Sequence, residues 1–293
     1  MNYWAKPTAF DISSLVFQIE RARLSPRIGV HMSVIKRNNV VTGGEGERTI
    51  VFSHGFGCDQ NMWRLVAPDF VKDFRTVLFD HVGAGKSDLS SYDLEKYATL
   101  HGYADDLVEI GIALGLREAT FVGHSVSAMI GVLASLKAPE MFGTLVLVGP
   151  SPRYIDDEGY QGGFSRTDIE ELLASMADNH MGWSMAMAPA IMGNPDRPEL
   201  GSELTDSFCR TDPAIAKAFA RVRFTSDNRD DLSRVTARTL ILQCRDDIIA
   251  SEAVGEYVRD RVADSKLVML HATGHCPNLS APAEVIAAIR DFV

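Results

Sequence analysis

The chain has 293 residues and a formal net charge of −10, with 46% hydrophobic and 23% charged residues. These proportions are those of a globular protein, and no apolar run approaches the ~20 residues that span a membrane. The acidic balance, without any run rich in Lys or Arg, argues against nucleic acid and anionic membrane as partners.

The N-terminal stretch of residues 11–24 carries apolar side chains at helical spacing. Gln18, Glu20 and Arg21 interrupt the continuous apolar segment that a signal peptide requires. Four cysteines at long separations favour a reducing compartment over a disulfide framework or a zinc site: Cys58, Cys209, Cys244 and Cys276. We therefore expect a cytoplasmic protein without a metal or cofactor.

Residues 1–31 are predicted to be an accessory extension, because the domain pattern begins near Met32. Residues 33–55 are hairpin-like, with β-rich runs that Asn and Gly break. Short apolar strands then alternate with longer helical patterns. The predicted strands are residues 49–55, 75–80, 119–125, 143–151, 238–247 and 265–275, and the predicted helices between or after them are 103–116, 127–142 and 282–293. This alternation predicts βαβ units, a mostly parallel sheet and helices on both faces.

Residues 152–235 break the alternation, since they hold helical patterns and no convincing strand. Ser165 and Asp212 are predicted N-caps of two of these helices. Methionine-rich helices are more often core filler, but an insertion between two strands also predicts a lid over a pocket, with residues 32–151 and 236–293 as the α/β core. Four apolar side chains are predicted to line or support the pocket roof: Phe164, Trp183, Met187 and Phe208.

The stretch FVGHSVSAMIG, residues 121–131, has the form strand, Gly-x-Ser-x-small residue, helix. This is the pattern of a nucleophile elbow, in which a sharp turn exposes the serine, here Ser125. The turn needs small neighbours, and Gly123 and Ser127 supply them. An ordinary Gly-His-Ser loop is the alternative, but the strand before the serine and the helix after it argue against that.

A serine hydroxyl needs a base, and the base needs an orienting acid. In this architecture the chain order is serine, acid, histidine. Asp246 and Asp247 follow a predicted strand, and His275 follows the last one. We assign the acid to Asp247, because it opens the loop after the strand, while Asp246 remains open as an alternative.

An acyl substrate would also need preset N–H donors for its oxyanion. The backbone N–H of Val126, directly after the serine, is the first predicted donor. The second is the N–H of Phe56, in the loop HGFG that follows an earlier strand. His124, next to the serine, is predicted to shape the substrate pocket or to pack the elbow.

The run GAGKS, residues 83–87, resembles the end of a phosphate-binding loop. The full pattern requires a glycine five residues before Gly85, where this chain has Asp80. We therefore interpret the run as a strand-to-helix turn that binds no nucleotide.

Several motifs together resemble one subfamily of α/β-hydrolases: HGFGCDQNMW, DHVGAGKSD, GHSVSAMIG, FCRTDP, LILQCRDDIIA and GHCPNLS. The chain resembles the bacterial stress-response regulator RsbQ and its relatives, which include the plant strigolactone and karrikin receptors. The resemblance runs from about Met32 to Val293 and leaves residues 1–31 without a counterpart. The motifs taken together are far more specific to this subfamily than any one of them alone.

This resemblance implies an α/β-hydrolase fold with a Ser125–His275–Asp247 triad beneath a helical lid and a closed, mostly apolar pocket. It implies slow hydrolysis of a small hydrophobic ester, lactone or butenolide-like compound. It also implies signalling through a partner protein, which for RsbQ is a phosphatase acting upstream of a stress sigma factor. The alternative is a metabolic carboxylesterase or carbon–carbon bond hydrolase without a signalling role.

Overall fold

The computed structural model describes residues 33–293, so the predicted accessory extension of residues 1–31 lies outside the described part. Seven strands form one sheet in the order β1-β3-β2-β4-β5-β6-β7. All neighbours are parallel except β1 and β3. The strands are β1 (Val41–Gly43), β2 (Arg48–Ser53), β3 (Phe74–Phe79), β4 (Ala119–His124), β5 (Phe142–Val148), β6 (Arg238–Arg245) and β7 (Ser265–Thr273).

The central strands are buried along most of their length, as continuous apolar runs in a parallel sheet require. All six residues of β4 are buried, and six of the eight residues of β6 are. Four helices pack against this sheet or against each other: α1 (Leu100–Leu114), α2 (Val126–Lys137), α8 (Glu252–Arg261) and α10 (Pro282–Phe292). The predicted mostly parallel α/β architecture is confirmed.

The prediction of a hairpin within residues 33–55 is wrong. Residues 33–37 are helical, and β1 pairs with β3 instead of β2. The reason is that β2 already has a parallel partner on each side, β3 and β4, and offers no free edge. Pairing with β3 lets the short β1 cover an edge that would otherwise be exposed.

Five helices lie between β5 and β6: α3 (Arg166–Asp178), α4 (His180–Met192), α5 (Pro198–Arg210), α6 (Pro213–Thr225) and α7 (Arg229–Leu232). We call residues 152–235, all of which the structure describes, the helical insertion; it holds isolated bridges but no strand. Both predicted N-caps are confirmed. Ser165 forms a reciprocal capping box with Asp168, and the Asp212 carboxylate accepts two backbone N–H groups at the start of α6.

Between α8 and α10 the chain forms β7 and then the short helix α9 (Pro277–Ser280). Within residues 33–293, no helix combines the length and the apolar character that crossing a bilayer demands. The methionines of α4 divide between two environments, since Met192 is buried while Met181 and Met185 are exposed.

Candidate active site

Ser125 lies between the end of β4 and the start of α2, with φ 57° and ψ −122°. A non-glycine residue with positive φ is strained, and such strain persists only where the surroundings hold it. The backbone N–H of Ser125 donates to the carbonyl of Val148 at the end of β5, 2.8 Å away. The turn thus holds the serine at the carboxyl end of the parallel strands, where ligand sites of open α/β sheets are found.

Ser127 does more than keep the elbow small. Its hydroxyl is fully buried and donates to the carbonyl of His54, 2.5 Å away. It also accepts a hydrogen bond from the hydroxyl of Ser53 at 2.9 Å and lies 2.8 Å from Nε2 of His81. A glycine could not make these bonds, which tie the start of α2 to the loop that carries Phe56.

Gly123 is required by close packing. A Cβ atom at this position would lie 2.6 Å from the Ser127 carbonyl oxygen and 2.6 Å from the Phe121 ring. We expect Gly123→Ala to lower the free energy of unfolding by about 1–3 kcal/mol, the usual range for an overpacked core. Urea denaturation measures this loss. The matched control is Gly143→Ala in β5, where the closest atom is the flexible carboxylate end of Glu118; equal losses in both variants would contradict the packing argument.

Three side chains form a continuous hydrogen-bonded chain. The Oγ of Ser125 lies 2.8 Å from Nε2 of His275, and Nδ1 of His275 lies 2.7 Å from Oδ2 of Asp247. The other carboxylate oxygen, Oδ1, accepts the backbone N–H groups of Ile249 and Ala250 at 2.8 and 3.1 Å. Asp246 is exposed, so the carboxylate that contacts His275 is that of Asp247.

The electrostatics keep Asp247 ionised despite its burial. Burial by itself would raise the pKa of this carboxyl, but the His275 ring and the two backbone N–H groups outweigh it and lower the pKa below its ordinary value. An ionised Asp247 accepts a hydrogen bond from the Nδ1–H group of His275. Nε2 is then left as the acceptor facing the Ser125 hydroxyl.

The helical insertion helps to position His275. The backbone N–H of His275 donates to the carbonyl of Ile191 in α4, 2.9 Å away. The preceding Gly274 has φ +77°, and a Cβ there would lie 1.9 Å from the carbonyl oxygen of Met192. Only glycine allows this close approach of the β7 loop to α4.

His124 also helps to position His275. Its Nε2–H donates to the carbonyl oxygen of His275, 2.7 Å away, and its ring centroid lies 5.0 Å from that of His275. Burial, with a further contribution from the neighbouring His275 ring, lowers the pKa of His124 to about 3. The His124 ring is therefore neutral in the folded protein at physiological pH.

This neutral His124 makes the folded state sensitive to acid. An unfolded histidine has a pKa of about 6.5, so below pH 6.5 the unfolded chain binds one proton more at this position than the folded chain. The stabilisation is complete above pH 6.5 and is lost by up to about 1.4 kcal/mol per pH unit as the pH falls towards 3. We expect His124→Asn to lose less stability than the wild type between pH 7 and pH 5 in denaturant titrations. An unchanged slope in His124→Asn would contradict the expectation.

The cavity above Ser125 has a volume of only about 10 Å³. Its wall consists of ten residues: Phe56, Cys58, His124, Ser125, Ile191, Leu204, Phe208, Arg223, His275 and Cys276. A volume of this size is about the smallest that admits one water molecule, so the cavity in this form has no room for an ester. A groove of about 720 Å³ lies between α4 and α5, but its lining does not include Ser125.

The predicted oxyanion donors are both next to this cavity. Neither the N–H of Phe56 nor that of Val126 donates a hydrogen bond to another residue within 33–293. The Phe56 ring packs edge-on against the rings of Phe208 and Trp183, with centroids 5.7 and 6.4 Å away. Phe56 is therefore an apolar wall as well as a candidate donor.

The predicted roof residues differ in their placement. Phe208 lines the cavity, and Trp183 stacks on Phe208 with ring centroids 5.7 Å apart, one layer behind the wall. Phe164 is half-buried and lies against Phe224, with centroids 6.4 Å apart, and Met187 is half-buried in α4. Neither Phe164 nor Met187 lines the cavity.

Sequence reasoning missed five residues of the wall: Cys58, Ile191, Leu204, Arg223 and Cys276. A signal was available for Arg223. It follows Ala216, Phe219 and Ala220 at intervals of seven, four and three residues in α6, and these three side chains are buried. Helical periodicity therefore assigns Arg223 to the buried face despite its charge.

The comparisons with known proteins identify the family of the chain. The model of the Alpha/beta hydrolase family matches residues 50–288. The chain is 38% identical over 259 residues to a strigolactone esterase of Arabidopsis thaliana, covering 88% of this chain and 97% of that protein. It is 38% identical over 261 residues to the karrikin insensitive 2 receptor CA of Petunia hybrida, covering 87% and 95%.

Among solved structures, a hydrolase from Oleispira antarctica superposes with a TM-score of 0.87 at 40% sequence identity. The match covers 89% of this chain and 96% of that one. The predicted fold class, a mostly parallel sheet with flanking helices and a helical lid inserted before the strand that bears the acid, is confirmed. The matched model, the relatives and the sheet order show that this chain belongs to the α/β-hydrolase family.

Proposed function

We propose that the protein is a serine hydrolase that cleaves a small hydrophobic ester, lactone or butenolide-like compound. The observation that carries this proposal is the hydrogen-bonded chain from Ser125 through His275 to Asp247, which begins at a strained elbow. The Arabidopsis relative is named a strigolactone esterase, which supports the same class of bond.

In the proposed reaction, Nε2 of His275 takes the proton of the Ser125 hydroxyl as its oxygen attacks the acyl carbon. The negative charge that develops on the carbonyl oxygen is stabilised by the N–H groups of Val126 and Phe56. His275 then gives its proton to the leaving alcohol oxygen. A water molecule, activated in the same way, hydrolyses the acyl-serine and restores the enzyme. Asp247 holds the required tautomer of His275 throughout.

The apolar wall supports a small hydrophobic substrate. Four apolar side chains surround Ser125: Phe56 from the loop after β2, and Ile191, Leu204 and Phe208 from the insertion. Since the cavity is nearly filled, we infer that α4 and α5 shift before a substrate binds. A required opening step supports slow turnover.

The RsbQ-like signalling role is part of the proposal. The Petunia relative is named a receptor, and an insertion that must move to admit a ligand could present a changed surface to a partner protein. By resemblance to RsbQ that partner would be of the phosphatase type. The alternative, a metabolic carboxylesterase or carbon–carbon bond hydrolase, would show fast turnover of short p-nitrophenyl esters and no ligand-dependent capture of a partner.

The domain division is proposed along the same lines. Residues 32–151 and 236–293 form the α/β core, residues 152–235 form the lid, and residues 1–31 are accessory. A chain that starts at Met32 should melt close to the full chain and keep its esterase activity. Much earlier melting would show that residues 1–31 belong to the fold.

The test of the proposed function is intact-protein mass spectrometry after exposure to a fluorophosphonate and to candidate lactones. We expect one adduct per chain, located on Ser125 by peptide mapping, and no adduct in Ser125→Ala. An adduct on another residue, or equal labelling of Ser125→Ala, would overturn the assignment.

A further inference from the structure

Arg223 is an unusual member of the cavity wall. Its side chain is only 3% exposed, and it is the only arginine or lysine among residues 33–293 that is buried. It shares the cavity with Ser125 and His275. A buried charge is expected to have a partner of opposite sign, because removal from water costs several kcal/mol.

Arg223 has no such partner in the described part of the chain. No carboxylate oxygen of residues 33–293 lies within 4.0 Å of its nitrogen atoms. Its Nε donates to the hydroxyl of Tyr154 at 3.1 Å, which uses one of five donors. Exposed arginines of the insertion, such as Arg153 and Arg229, do form ion pairs with carboxylates.

Aromatic rings surround the guanidinium. Its central carbon lies 4.3, 4.8 and 5.6 Å from the ring centroids of Phe224, Tyr154 and Phe56. Cation–π contacts hold a guanidinium in place and are strongest when the group is shielded from water. They neither neutralise its charge nor use its remaining N–H donors, so the wall keeps an unmatched positive group beside the candidate oxyanion site.

The other titratable groups of the cavity do not supply a negative charge. Burial raises the pKa of the Cys58 thiol to about 12, and burial also raises that of Cys276 well above its ordinary value. Both therefore remain neutral thiols. The His124 ring is neutral as well, and the carboxylate of Asp247 is engaged by His275 and by two backbone N–H groups.

We propose that Arg223 recognises a carboxylate on the substrate, so that the true substrate is an ester or lactone with an apolar body and one carboxylate. This inference rests on the proposed hydrolase function and specifies its substrate class. A guanidinium matches a carboxylate geometrically through two parallel N–H bonds. A monoanion is favoured over a phosphate dianion, because a single buried guanidinium neutralises one charge and the rest of the wall is apolar.

The experiment compares two chromogenic esters that differ only in charge: 4-nitrophenyl hydrogen adipate and its methyl ester, 4-nitrophenyl methyl adipate. The wild type should prefer the acid in kcat/KM. In Arg223→Met we expect that preference to fall roughly 10- to 100-fold, mainly through a higher KM for the acid, as expected for losing charge-assisted hydrogen bonds. Turnover of the methyl ester should persist in this variant, and Arg223→Lys should be intermediate.

The matched control is Arg221→Met, an exposed arginine of the same helix two residues earlier. It should leave the preference unchanged. If Arg223→Met lost activity on both esters equally while the fluorophosphonate still labelled Ser125, Arg223 would have a structural role only and the inference would fall. It would also fall if the wild type showed no preference for the acid.

A second measurement needs no variant and covers the case in which Arg223→Met does not fold. Hexanoate should inhibit methyl ester hydrolysis by the wild type at least tenfold more strongly than hexanamide, which has the same shape without the charge. Equal inhibition would overturn the inference, and stronger inhibition by hexylphosphonate than by hexanoate would overturn the choice of a carboxylate. Failure of the fluorophosphonate to label Ser125 would instead contradict the proposed function itself.

Discussion

Ser125→Ala is expected to lower kcat for ester hydrolysis by roughly six powers of ten, the loss found when the nucleophile of a comparable triad is removed. The physical reason is that, among residues 33–293, only the Ser125 oxygen lies within hydrogen-bond reach of Nε2 of His275, at 2.8 Å. Without that oxygen, His275 has no group to deprotonate and no acyl intermediate can form. Steady-state kinetics with a short p-nitrophenyl ester measure the loss.

The matched control for this variant is Ser135→Ala. Ser135 is a buried serine of α2, the helix that follows Ser125, and its hydroxyl donates to the carbonyl of Val132 within that helix. Its loss should leave kcat within a few-fold of the wild type. Circular dichroism of Ser125→Ala should match the wild type. If Ser125→Ala kept most of its activity while remaining folded, the nucleophile would be another group.

Asp247→Asn should lower kcat by about four powers of ten while leaving the fold intact. The Oδ1 of residue 247 accepts two backbone N–H groups, from Ile249 and Ala250. An asparagine would keep its carbonyl oxygen there and turn its NH2 group towards Nδ1 of His275. The ring proton of His275 would then sit on Nε2. A protonated Nε2 cannot accept the proton of the Ser125 hydroxyl.

Asp246→Asn is the control, since it makes the same chemical change one residue earlier. Asp246 is exposed and has φ 52°, a conformation that asparagine tolerates well. Its activity should stay close to that of the wild type. A larger loss in Asp246→Asn than in Asp247→Asn would move the acid to position 246, the alternative that sequence reasoning had left open.

Local sequence patterns determined the strands, most of the helices and the form of the elbow. These features depend on residues that are neighbours in the chain. The apolar run of β4, Gly123, Ser125 and the small residues of α2 lie within one stretch, so their spacing alone predicts strand, sharp turn and helix. The N-caps at Ser165 and Asp212 are local for the same reason, because a cap bonds to backbone groups two or three residues away.

Contacts between distant segments were decided only by the tertiary structure. The partner of β1 depends on which sheet edge is free, and no pattern within residues 33–55 carries that information. The choice between Asp246 and Asp247 depends on the direction of two adjacent side chains after β6, which the turn geometry sets. The cavity wall is the strongest case. Periodicity in α6 can assign Arg223 to a buried face. Burial of a helix face does not specify which distant surface covers it. Only the packing of α6 over the elbow brings the Arg223 guanidinium beside Phe56 and into the same cavity as Ser125.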